Sequence, residues 1–167
     1  MTKTNRLTLL SMLTAQALAL HVLERFIAIP IAVPGVKLGL ANIITLLTIL
    51  LLGWKDALVI VVLRCTLGNI FGGNIISFLF SIGGGLLSTV IMALLWHKFA
   101  NNVSITGISL TGAVFHNVGQ LLVASIVISD LRIFTYLPVL LISAIITGCI
   151  IGIISTRSYA LLHKRFG

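Results

Sequence analysis

Arg64 in "ALVIVVLRCTLGN" and His116, Asn117 and Gln120 in "GAVFHNVGQLLVAS" are strongly polar side chains set inside apolar runs. A guanidinium can hold a carboxylate or phosphate through a planar fork, and an imidazole with two amides can orient the rest of a ligand by hydrogen bonds. Arg64 lies nine residues beyond Lys55, or about 13 Å along a helix and near the midplane of a bilayer. Insertion there costs about 2.5 to 3.5 kcal/mol, against a gain of about 0.3 to 0.6 for each neighbouring Leu, Ile or Val. The apolar run Leu58 to Leu63 offsets that cost. The charge must still meet an internal counter-ion, a carbonyl cap or a ligand, and the sequence leaves these open. His116 and Gln120 are four residues apart and share a helix face, whereas Asn117 points roughly 100° away. They can bond neighbouring helices or form a pocket wall.

Other chemistries fit poorly. His21, His97 and His163 fall toward other helix ends, and Cys65 and Cys149 are isolated. No metal-ligand spacing or disulfide framework follows. The carboxylates Glu24, Asp56 and Asp130 stand singly on different segments. Gly83, Gly84 and Gly85, bracketed by Ser81 and Ser88, suit close helix contact; the alternative is a ligand or broken helix approaching bare backbone. No phosphate-binding loop motif accompanies them.

The elements that must position these groups follow from composition. The chain has 167 residues, 59% hydrophobic and 8% charged, with a mean hydropathy of +1.21. Ordinary soluble domains carry about 25% charged residues, so an all-α integral membrane protein is expected, as one domain over residues 1–167. The net charge of +8 comes mostly from residues flanking apolar spans and suits headgroups and topology rather than nucleic acid. Six helices are expected, at about 7–24, 39–53, 56–71, 75–96, 107–129 and 134–156, the first being a retained span rather than a cleaved leader. The second and third are short for a bilayer. "IAIPIAVPGVKLG", with Pro30, Pro34, Gly35 and Lys37, reads as a stiff ordered loop. Glu24 and Arg25 are expected to pair at the outer interface. With both termini inside, the inner side holds Lys3, Arg6, Lys55, Lys98, Arg157, Lys164 and Arg165, against Arg25, Lys37 and Arg132 outside. That bias predicts cytoplasmic termini. Ala15 and Ala19 form a small-residue pair on one face of the first helix, suited to docking another helix.

The segments "ERFIAIPIAVPGVKLGLANIITLL", "LRCTLGNIFGG", "SFLFSIGGGLLS" and "GAVFHNVGQLLVAS" together resemble the bacterial Gx transporter family, often labelled heptaprenyl diphosphate synthase component I. That family is in turn similar to the S components of energy-coupling factor (ECF) transporters. The resemblance implies a six-helix S-component-like bundle in a bacterial cell membrane, binding one small molecule on the outer side. It also implies partners: a transmembrane coupling protein and two cytoplasmic ATPases, which would hydrolyse ATP, with no cofactor on this chain. By the same resemblance Ala15 and Ala19 match the coupling-protein contact. The loop with Pro30, Pro34 and Gly35 matches the segment covering the pocket, and Lys37, Asn42, Arg64, Asn69, His116, Asn117 and Gln120 become substrate-binding candidates. Met1, Thr2 and Lys3 lack the histidine of the nickel and cobalt S components. The family label raises a second reading, a noncatalytic accessory of isoprenoid or menaquinone synthesis or of flavin-linked electron transfer. A catalytic prenyl synthase is not expected, because its diphosphate needs magnesium held by clustered aspartates.

Overall fold

The structure, a computed structural model, describes residues 3–26, 37–71 and 74–166. It contains six helices: α1 (Lys3–Leu23), α2 (Asn42–Leu51), α3 (Trp54–Ile70), α4 (Ile75–Phe99), α5 (Ile105–Ile128) and α6 (Leu137–Phe166). Short 3-10 turns follow α1 at Glu24–Phe26 and precede α6 at Leu131–Tyr136, and no strand occurs among the described residues. The loop residues Pro30, Pro34 and Gly35 lie outside the described residues.

Polarity is distributed as a membrane requires. Large apolar side chains such as Met12, Val62, Leu94, Ile126, Ile142 and Ile146 face outward, while Arg64, Asn42, His116, Asn117 and Gln120 are buried. A hydrocarbon solvent leaves no other place for such groups to be satisfied. Among the described residues, four segments are long and apolar enough to cross a membrane: Lys3–Leu23, Ile75–Phe99, Ile105–Ile128 and Leu131–Leu162.

The second helix corrects the expected boundaries. Rather than 39–53, α2 spans Asn42–Leu51, about 15 Å at 1.5 Å per residue. Gly39 adopts φ +83°, a conformation glycine reaches without penalty, and Asn42 and Ile43 donate backbone bonds to the Gly39 and Leu40 carbonyls. The helix therefore starts late. It is packed against all five other helices, which is how so short a segment is accommodated among them. The sixth helix is longer than expected, because "RSYALLHKRF" continues it past the apolar run.

Helix α5 lies between α4 and α6, and glycines set both approaches. A Cβ on Gly119 would lie 2.8 Å from the Gly83 carbonyl oxygen, and one on Gly152 would lie 2.6 Å from the Thr106 Cα. These contacts support the packing role for the triplet at 83–85, and α4 runs through it unbroken. At one end of the bundle Arg6 forms a forked ion pair with Asp56 at 2.8 to 3.0 Å, tying the start of α1 to the start of α3. Trp96 meets Tyr159 edge to face at 6.4 Å, bringing the last part of α4 to α6. The functional candidates gather toward the opposite end.

Candidate functional site

The buried face of α1 carries Leu13, Ala17 and His21 and continues to Glu24, a spacing of four, four and three that follows one helix stripe. Two polar groups thus enter the interior beside the chain that leads into α2. Glu24 is 4% exposed and its Oε1 accepts the Leu40 N–H at 2.6 Å. The expected surface pairing with Arg25 is therefore corrected for Glu24, which faces the interior because it ends this stripe. Burial raises the Glu24 carboxyl above its ordinary range, opposed by the Leu40 N–H and by the Arg64 and Lys37 charges.

Lys37 is held at three points. Its N–H donates to Gln120 Oε1 at 2.9 Å and its carbonyl accepts from Gln120 Nε2 at 3.0 Å. Its Nζ lies 2.8 Å from His21 Nε2. An ammonium can only donate, so the imidazole accepts there. Gln120 is eight residues from the end of α5, so the clamp sits about 12 Å along the helix from that end. The segment leading to α2 dips into the bundle rather than resting on it.

Beneath this clamp Arg64 Nη2 donates to Asn42 Oδ1 at 3.0 Å. Glycines let the surrounding backbone come close: a Cβ on Gly85 would lie 3.3 Å from Arg64 Nη2, and one on Gly84 would lie 3.0 Å from His116 Nδ1. Asn42 Nδ2 and His116 Nε2 both border Gly39, at 3.0 and 3.3 Å from its Cβ position. Asn42 Nδ2, Arg64 Nε and both His116 ring nitrogens are buried with no hydrogen-bond partner among the described residues. A buried polar group left unpaired costs about 1 to 3 kcal/mol. Such atoms are few in native structures, so four in one cluster call for an explanation.

The expected candidates are therefore brought together unequally. Lys37, Asn42, Arg64, His116 and Gln120 converge between α2, α3, α4 and α5. Asn117 turns to α6 and donates to the Leu140 carbonyl at 2.8 Å, consistent with the 100° offset of its neighbour. Asn69 is half-buried and lies five residues from Arg64, roughly 140° around α3. Ala15 and Ala19 are both exposed on α1. His21 and Glu24 were not among the sequence candidates. The signal for them was the stripe Leu13, Ala17, His21, Glu24, which marks a buried face continuing past the apolar core of the helix.

A family model described as heptaprenyl diphosphate synthase component I matches residues 13–158. The chain belongs to this family. No curated protein and no solved structure gives a match. The carboxylates of this chain do not fit a magnesium diphosphate centre. Asp56 is engaged by Arg6, Asp130 caps the turn before α6 by accepting the Arg132 N–H at 2.8 Å, and Glu24 accepts from Leu40. Each serves a separate structural contact on a different element, and no group of three His, Cys, Asp or Glu suited to a metal occurs among the described residues.

Proposed function

We propose that the chain is the substrate-binding, S-component-like subunit of an energy-coupling factor importer in a bacterial cell membrane. In this reading both termini are cytoplasmic, and a small anionic or polar-headed molecule is captured at the loop end from outside. A transmembrane coupling protein docks on the Ala15 and Ala19 face, and two cytoplasmic ATPases supply the energy. The observation that carries the reading is the buried cluster of unpaired donors around Arg64, Asn42 and His116, roofed by the Lys37 segment. A guanidinium whose only side-chain bond among the described residues is to a neutral amide offers its remaining capacity to a ligand.

The Gln120 clamp gives the site an entrance. Ligand reaches Arg64 when the two Lys37 backbone bonds break, and their re-formation closes the roof. Native mass spectrometry of protein purified in mild detergent tests this. Wild type should release a bound small molecule, and Arg64→Ala should give comparable folded yield without it. Loss of folded protein with no specific loss of ligand would assign Arg64 to structure alone.

The family description favours a second reading, a noncatalytic membrane accessory of prenyl diphosphate synthesis. It predicts stable association with a soluble subunit carrying the aspartate cluster that this chain lacks.

A further inference from the structure

Val90, Ala93, Leu94 and His97 follow the helical spacing that puts them on one face of α4. With Trp54 at the start of α3 they line an apolar cavity of about 260 Å³, at the same end of the bundle as the Arg6 and Asp56 pair. Trp54, Val90 and Leu94 are each close to half exposed, so the cavity opens as a groove on the flank that the bilayer covers. Charge is confined to one end of it. Lys98 lies one turn beyond Leu94 on the same stripe, and the Lys55 ammonium stands 5.6 Å from the Trp54 ring centroid. Both lysines are exposed. Asp56, next to Lys55 in the chain, gives both carboxylate oxygens to Arg6, and no ion pair to Lys55 or Lys98 occurs among the described residues.

We propose that this groove binds an anionic phospholipid, with one acyl chain along Val90, Ala93 and Leu94 and the phosphate held by Lys55 and Lys98 at the His97 end. Such a site serves an importer subunit and a synthase accessory alike. The occupant follows from shape and charge. An amphiphile with an apolar chain and one anionic end matches a groove that is apolar along its length and basic at one end. From Val90 to His97 the groove runs about 10 Å along α4, enough for the upper part of an acyl chain. The Trp54 indole sits at its basic end, the headgroup level that tryptophan favours. A helix about 10 to 12 Å across is too wide for the cavity, so neither a second copy nor a partner subunit seats a helix in it. A free phosphate leaves the apolar wall uncovered.

Trp54 reports on the groove directly, because Trp96→Phe leaves it as the sole tryptophan of the chain. The full chain with that change is reconstituted in phosphatidylcholine vesicles containing phosphatidylglycerol or phosphatidylcholine brominated near the glycerol end of an acyl chain. Brominated phosphatidylglycerol should quench Trp54 saturably at low mole fraction. Its preference over brominated phosphatidylcholine should be at least about fivefold, the effect of one lysine engaged at a membrane surface. Lys55→Gln with Lys98→Gln should bring the preference close to one. Lys3→Gln with Lys164→Gln, which removes as much charge from exposed positions on α1 and α6, should leave it unchanged. Equal quenching by the two lipids, or equal loss of preference in the two double variants, would overturn the site and leave only the general attraction of a basic protein for an anionic surface. Displacement by millimolar inorganic phosphate would make it a free-anion site instead. Quenching by neither lipid until the chain is diluted would give the groove to a second copy and equally overturn lipid binding.

Discussion

Gln120→Leu is the sharpest perturbation of the roof. The side chain is fully buried and supplies both partners of the Lys37 peptide, at 2.9 and 3.0 Å. Leucine is similar in bulk but offers neither. If the segment stayed in place, two buried backbone groups would lose partners at about 1 to 3 kcal/mol each. The segment can instead retreat to water, so the observed effect is local opening. A loss of about 2 kcal/mol corresponds to a roughly 30-fold rise in the opened population. Hydrogen exchange read by mass spectrometry in nanodiscs should show peptides covering 37–41 exchanging about 30-fold faster, with peptides from the middle of α4 unchanged. Unchanged exchange at 37–41 would refute the clamp. Uniform acceleration through all six helices would show that Gln120 holds the whole bundle rather than a roof.

Other perturbations separate packing, surface and docking roles. Gly84→Val forces a Cβ to 2.6 Å from the His116 carbonyl oxygen and 2.8 Å from Gln120 Cγ, and should destabilise by about 1 to 3 kcal/mol in thermal unfolding. Gly53→Ala has open space around it but sits at φ +96° and ψ 174°, a region essentially reserved for glycine, and should cost about 1 to 3 kcal/mol of backbone strain. Arg6 is 55% exposed, so Arg6→Ala should cost less than about 1 kcal/mol, with the difference shrinking in high salt. Ala15→Leu should leave unfolding and ligand retention unchanged while weakening recovery of the coupling protein. Equal recovery would remove α1 as the docking face.

Six helices were legible because apolar runs and short polar breaks survive in any bilayer-compatible sequence. Boundaries were less so where backbone conformation decides them. Gly39 delays α2 through a positive φ that hydropathy does not encode, and the basic end of α6 continues a helix beyond the apolar run. Arg64 stood out because its insertion cost is large, but its bond to Asn42 joins residues 22 apart and depends on how α2 is enclosed. The angular split between Asn117 and the pair His116 and Gln120 followed from helix period alone. Glu24 and His21 were harder to place. At a helix end a polar residue reads as interfacial, and only the stripe from Leu13 reveals that this face keeps turning inward. The return of Lys37 to Gln120 joins residues 83 apart and has no local signature.

Affinity purification of the tagged chain from its native membrane in mild detergent, with the recovered proteins identified by mass spectrometry, tests the proposed function most directly. An importer subunit should bring down a multi-span coupling protein with two ATPases, and Ala15→Leu should reduce that recovery. Recovery of a soluble aspartate-rich prenyl synthase subunit, with no ATPase, would contradict the importer and establish the accessory role.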